Sequence, residues 1–92
     1  MLTAFILIDC AQNQIASVAK AIANLPNIAE VYSVTGDHDL IAIVRLTQYD
    51  DLASVVPEGI SAIPGVTNTN TVLAFRRYAA ADLEAAWDIG LS

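Results

Sequence analysis

Only a few residues in this chain have the types and spacing for chemistry. The single histidine, His38, stands between two carboxylates, Asp37 and Asp39, directly after Thr35-Gly36. A histidine among acids is a candidate general acid or base, because its charge changes near neutral pH. Catalysis of that kind needs a nucleophile or a second titrating group at hand. No second histidine exists, and the single cysteine, Cys10, follows the acid that closes an apolar run. Cys10 therefore reads as an inert thiol at a strand end, and His38 as a solvated turn residue. One cysteine and one histidine also rule out an internal disulfide and a Cys/His zinc cluster. No cofactor is indicated.

The same residues suit binding better than turnover. An α-amino acid presents one carboxylate and one ammonium. The turn Thr35–His38 can offer backbone N–H groups to the carboxylate, and Gly36, free to take a positive φ, lets a ligand come close to the backbone. Asp39 can accept from the ammonium, and Thr69 and Thr71 add hydroxyls. Asp37 works against this, since its charge opposes a carboxylate. Each feature also has a ligand-free explanation: Gly36 makes a turn, Asp39 caps a hairpin, and the threonines are strand formers. Composition alone leaves both readings open.

Placing these residues requires strands on either side of the turn. Thr3–Asp9 is short, apolar and partly aromatic, which predicts a strand. Asn13–Leu25 carries Ile15, Val18, Ala19, Ile22 and Leu25 at helical spacing, with Asn13 as the expected N-cap and Pro26-Asn27 as the stop. Ile28–Val34 and Asp39–Leu46 are predicted strands that form a hairpin across Gly36. Tyr49–Ile63 has a helical pattern with a kink or break expected at Pro57–Gly59, because proline removes a helix hydrogen bond. Val66–Arg76 is a fourth strand, on which Thr67, Thr69 and Thr71 share a face. Leu25-Pro26-Asn27-Ile28 and Ile63-Pro64-Gly65-Val66 echo one another, each closing a helix and opening a strand. The order strand-helix-strand, turn, strand-helix-strand predicts an α+β, ferredoxin-like βαββαβ fold: one four-stranded antiparallel sheet with both helices on one face. Ala79–Ile89 predicts a C-terminal helix ended by Gly90, with Trp87 docking against something. Residues 1–78 are expected to form the domain and 79–92 an extension.

With 92 residues there is room for one domain. A domain of this size buries only roughly 60–65% of the surface that its unfolded chain exposes. Yet 55% of the residues are hydrophobic, and mean hydropathy is +0.53. The surplus must meet a partner, a membrane or a ligand. Unbroken apolar runs such as Ala4–Ile8 are far short of the about 20 residues that span a bilayer. No basic, signal-like start precedes it, so a cytoplasmic chain is expected. Formal charge is −6, and only Lys20, Arg45, Arg76 and Arg77 are basic, too few to grip nucleic acid directly. Self-association remains. The strands point to it as well, because Ala4, Ile6 and Ile8 oppose Phe5 and Leu7, while Leu40, Ala42 and Val44 oppose Ile41 and Ile43. A sheet apolar on both faces must bury both, most simply against a second copy of itself.

Three segments, Val31–Leu40, Val44-Arg45, and Ile63–Val66 with Thr69-x-Thr71, together resemble the effector-binding (RAM) domain of the Lrp/AsnC transcription regulators. Val31-Tyr32-Ser33-Val34-Thr35-Gly36-Asp37-His38-Asp39-Leu40 is similar to that family's V-x-G-x-x-D hairpin. Val44-Arg45 leads into a helix, as in the family. Ile63-Pro64-Gly65-Val66 followed by Thr69-x-Thr71 is similar to its PGV…T-x-T strand. The resemblance runs from about Thr3 to Arg76. It implies a dimeric α+β barrel with sheets packed face to face, dimers gathered into larger homo-oligomers, and an amino acid or similar small effector held between subunits. On matching positions it implies effector contacts at Thr35, Gly36, Asp37, His38, Asp39, Thr69 and Thr71. Tyr49, Val72, Leu73 and Ala74 match positions that influence effector response. Family regulators carry an N-terminal helix-turn-helix domain, whereas here Met1 stands directly before the first strand. A stand-alone sensing domain without its own DNA reader is therefore expected, with a DNA-binding regulator of the same family as a further candidate partner. Two other classes stay open: a small monooxygenase-like enzyme of the dimeric α+β barrel kind, and a pure oligomerisation module.

Overall fold

Strict alternation along the central strands decides the architecture. In β1, Leu2–Cys10, Ala4, Ile6 and Ile8 are completely buried, whereas Phe5 keeps 36% of its surface exposed. In β3, Leu40–Leu46, Leu40, Ala42, Val44 and Leu46 are buried while Ile41 and Ile43 are only partly so. Successive strand side chains point to opposite faces, so the buried set lines one side of a sheet and the others line its reverse. These facts come from a computed structural model that describes residues 1–80.

β1 pairs antiparallel with β3 on one edge and with β4, Val66–Leu73, on the other. β2, Ile28–Ser33, pairs antiparallel with β3, giving the order β2-β3-β1-β4. With the helical segments on the buried face, this is the expected ferredoxin-like α+β fold. α1, Ile15–Ala23, lies over β2 and β3 and sends Val18 and Ile22 into the core with β1 and β3 residues. The second helical segment breaks where Pro57 requires. A 3-10 turn, Tyr49–Asp51, runs into the four-residue α2, Leu52–Val55, and a second 3-10 turn, Ile60–Ala62, follows beyond the proline. Val55 and Ile60, on either side of the break, complete the core. Among the described residues no helix is long and apolar enough to cross a membrane.

Three local expectations change. Asn13 does not cap α1: it sits at φ +66°, and Gln14 takes the cap position without a side-chain hydrogen bond. Asparagine tolerates this left-handed conformation, which turns the chain sharply after β1. β4 ends at Leu73 rather than Arg76, because β1 runs out of partners: Ala74 N–H still donates to Thr3 O, and beyond it no ladder remains. The C-terminal helix expected over Ala79–Ile89, with Trp87, lies almost wholly outside the described residues.

Gly65 locks the second half of the fold to the first. It has φ +102°, its carbonyl accepts from Ala11 N–H, and a Cβ there would stand 2.9 Å from Val18 Cγ2. Gly36 has a similar φ, +109°, but a Cβ there would meet nothing within 4 Å. Gly65→Ala is thus expected to lose about 1–3 kcal/mol through backbone conformation and more through displacing Val18 from the core. Gly36→Ala incurs the first loss alone. Urea unfolding of both variants at equal protein concentration checks the difference, and equal losses would show that the Val18 contact costs nothing.

Candidate functional site

Polar groups concentrate at the end of the sheet where β1 stops and the β2–β3 hairpin turns. The hairpin is fastened to β1 by two side chains. Asp39 Oδ2 accepts the Cys10 N–H at 2.8 Å, while Asp39 N–H donates to Ile8 O at 3.0 Å and Asp39 O accepts from Val34 N–H at 3.1 Å. His38 Nδ1 lies 2.9 Å from Asp9 Oδ1, with both side chains half-buried. Asn68 of β4 approaches the other Asp9 oxygen at 3.5 Å. His38 is therefore not the solvated turn residue that its sequence context suggests. Neither Asp9 nor Asn68 was expected in this cluster. A polar residue at the end of the Ala4–Ile8 run was the available sign for Asp9.

Ahead of these anchors in the chain the turn is open. Thr35, Gly36 and Asp37 are exposed. Among the described residues, the N–H groups of Thr35, Gly36, Asp37 and His38 donate no hydrogen bond within the chain. Four such groups on a short turn can receive an anion. The surrounding side chains oppose one, since Asp9, Asp37 and Asp39 converge there and His38 is the only group among them that can become positive.

The remaining expected residues lie elsewhere on the chain. Thr69 is level with Ile8 but on the far side of β1 from Asp39, about 10 Å away at two strand spacings. It faces the helical layer, its hydroxyl 3.4 Å from that of Ser61. Thr71 and Leu73, on the same face of β4, line a cleft of about 480 Å³ with Tyr49, Asp50, Leu52 and Pro57. Val72 points to the opposite face, beside Phe5, and Ala74 closes the sheet against Thr3. One chain thus holds the expected set in separate places, with β1 standing between the hairpin and β4.

Two kinds of chemistry can be weighed here. A carboxylate on Nδ1 orients the His38 ring and leaves Nε2 for a ligand. Cys10 is unsuited to nucleophilic attack: burial, then the charges of Asp39 and Asp9, push its thiol pKa up, so the thiolate is scarce. Binding through the turn is better provided for than covalent catalysis.

Comparisons with known proteins agree on one family. The model of the Lrp/AsnC ligand binding domain matches residues 3–83. The HTH-type transcriptional regulator FL11 of Pyrococcus horikoshii is 33% identical over 75 residues, covering 82% of this chain and 49% of the regulator. The chain spans about half the length of the curated relatives it matches. The crystal structure of TTHA0845 from Thermus thermophilus is 51% identical with a TM-score of 0.82, covering 86% of this chain and 99% of that one. The transcriptional regulator NMB0573 of Neisseria meningitidis, solved with L-Met, shares the fold at 16% identity and a TM-score of 0.77, over 85% of this chain and 52% of its own.

The electrostatics around Cys10 can be read out by alkylation. At pH 8 its reaction with iodoacetamide should be slower than that of an unstructured thiol and should rise only at higher pH. Asp39→Asn keeps an acceptor for the Cys10 N–H but removes the nearer negative charge, so it should speed the reaction roughly three- to tenfold, with Asp9→Asn doing less. An unchanged rate in Asp39→Asn would show that burial alone protects the thiol.

Proposed function

The chain belongs to the Lrp/AsnC ligand-binding domain family, and from that premise we propose that it is a regulatory domain that self-associates through its open sheet face and senses an amino acid or similar small zwitterion between subunits. The observation that carries this reading is the anchored, open turn at Thr35–Asp39. Its backbone is held by Asp39 on Cys10 and His38 on Asp9, and four of its N–H groups have no partner among the described residues. A site whose frame is set before the ligand arrives loses little entropy on binding. The turn would take the carboxylate, while Asp39, with one oxygen still unused, would take the ammonium. Tyr49, Thr71, Val72 and Leu73 lie across β1 from that turn. They are proposed to shape the side-chain pocket when a neighbouring subunit brings its own copy of them near.

Self-association is supported by the reverse face of the sheet. Phe5, Leu7, Ile41, Ile43, Tyr32 and Val72 form an apolar area there, with Tyr32 50% and Val72 47% exposed. Monomers rarely leave so continuous a patch in water. The curated relatives are transcriptional regulators, so a DNA-binding member of the family is the proposed recipient of the signal. The methionine held by the neisserial regulator motivates amino acids as the probes.

Isothermal titration against the L-amino acids tests the proposal. At least one should bind at or below millimolar concentration. Asp39→Asn, which keeps the Cys10 bond, should weaken that binding roughly ten- to a hundredfold, the effect of losing one charged hydrogen-bond partner. Its sedimentation should match the parent's, because the sheet face does not involve Asp39. Thr71→Val should weaken binding less. Failure of every amino acid to bind at millimolar concentration, or full affinity in Asp39→Asn, would overturn the assignment.

A further inference from the structure

The turn that would receive a carboxylate stands among three carboxylates of its own, Asp9 from β1 and Asp37 and Asp39 from the turn itself. The four permanent cations of the chain lie elsewhere. Arg45 pairs with Thr3 at the opposite end of β1, and the strand from Thr3 to Asp9 covers about 20 Å. Arg76 and Arg77 follow β4, whose last residue, Leu73, pairs with Ala4 near that same far end. Lys20 stands in the last turn of α1. Among the described residues, His38 is therefore the group at the turn that can answer a ligand's negative charge.

Its ring is committed on one side. Nδ1 lies 2.9 Å from Asp9 Oδ1, and the side chain keeps 30% of its surface exposed. An ionised carboxylate only accepts, so Nδ1 carries the hydrogen and donates it to Asp9. In the neutral ring Nε2 is then a bare acceptor, whose lone pair repels a carboxylate. A proton on Nε2 turns it into a donor with a positive charge, and such bonds to carboxylates are the strong ones. The neighbouring groups do not take over this role. Beside Asp9 on β1 is Cys10, whose thiol is pushed up by burial and then by Asp39 and Asp9, so it keeps its proton through the neutral range. β4 brings the uncharged Asn68 amide to the other Asp9 oxygen. On β2, Glu30 and Tyr32 pair with Ile43 and Ile41 and are bonded to each other.

We infer that His38 is the carboxylate-facing side chain of the proposed site and takes up one proton from solvent at Nε2 when the ligand binds. The inference rests on the effector reading above and adds a proton to it. The proton joins the Nε2 lone pair, the Nδ1–H bond to Asp9 is kept, and no covalent bond breaks. The imidazolium then lies between two carboxylates, that of Asp9 and that of the ligand. The opposite arrangement would have neutral Nε2 accept from the ligand's ammonium. Asp39 already offers the ammonium a charged acceptor, which is the stronger partner. The two arrangements differ in sign. With uptake, the bound state holds one more proton than the free state, so affinity rises as pH falls and is lost as pH rises, by at most about tenfold per pH unit. Histidine changes charge between about pH 5 and 8, so the domain would read the effector and the proton together.

His38 is the single histidine of the chain, so in untagged protein the ring Cε1–H resonance reports it alone. The probes are the L-amino acids titrated above, taken one at a time. At about pH 7, an amino acid that binds should move that resonance toward its protonated position. Its binding heat should differ between phosphate and Tris, which release a proton with unlike heats, and its affinity should fall roughly three- to tenfold per unit from about pH 6 to 8. His38→Asn keeps an N–H for Asp9 but cannot titrate. It should bind more weakly than the parent at the acid end and show neither the pH dependence nor the buffer dependence. An unmoved resonance in the complex, equal heats in the two buffers, or affinity that rises with pH overturns the proton uptake while leaving effector binding intact. Uptake that persists in His38→Asn belongs to another group and overturns the role of His38. Failure of every amino acid to bind at millimolar concentration overturns the effector reading and this inference with it.

Discussion

Everything in this fold hangs on β1, a central strand that is paired along both edges and apolar on both faces. Its partners are β3 and β4, and its apolar side chains run from Ala4 to Ile8. One face is satisfied within the chain by Val18, Ile22, Val55 and Ile60, which close over Ala4, Ile6 and Ile8. The other face is not. A strand in this position cannot tolerate a charge until it ends, and that is why its first carboxylate, Asp9, coincides with the boundary of the core. The polar cluster is located by the length of the apolar strand as much as by its own residues.

The turn between β2 and β3 borrows its order from that boundary. A turn of exposed polar residues has no packing of its own, and four of its N–H groups donate no bond among the described residues. Asp39 and His38 reach back to the end of β1 instead, one to a backbone N–H and one to a carboxylate. Each bond is modest by itself, since net contributions of intramolecular hydrogen bonds are about 1 kcal/mol. Together they hold the turn at its β3 flank and leave its apex free. β4 is placed by a different device: Gly65 takes a left-handed conformation and accepts from Ala11, so the loop leaving β1 and the entry to β4 are fixed against one another.

How much of this is legible in the sequence follows from the range of the interactions. The strands, their buried and open faces, the hairpin and the break at Pro57 are written in alternation and in single residues with fixed backbone chemistry, so they can be read directly. Asn13 misleads because a cap and a left-handed turn use the same residue type; the packing of the loop against Gly65, remote in sequence, chooses between them. The end of β4 depends on where β1 begins, which no local pattern in Thr71–Arg76 records. The contact of His38 with Asp9 spans 29 residues and exists only through the β1–β3 register. Within the candidate site, the hairpin residues are legible as a group. Their separation from Tyr49 and Thr71 is not, because it follows from the strand order placing β1 between them.

That separation bears on how Asp39 is to be understood. Two roles are open for it, capping the hairpin and receiving a ligand's ammonium, and they look like rivals. The geometry makes them compatible. A carboxylate has about four acceptor sites, and the bond to Cys10 N–H uses one of them. The capping bond removes the rotational freedom that an unattached aspartate would have to lose on meeting a ligand. A side chain fixed for structural reasons is thereby a better receptor than a free one, because the ordering is complete before binding. The same logic applies to His38, whose ring is oriented by Asp9. Structural duty and the proposed recognition would meet in these two residues, whose side chains join the Asp39 N–H bond to Ile8 O in holding the hairpin at the end of β1.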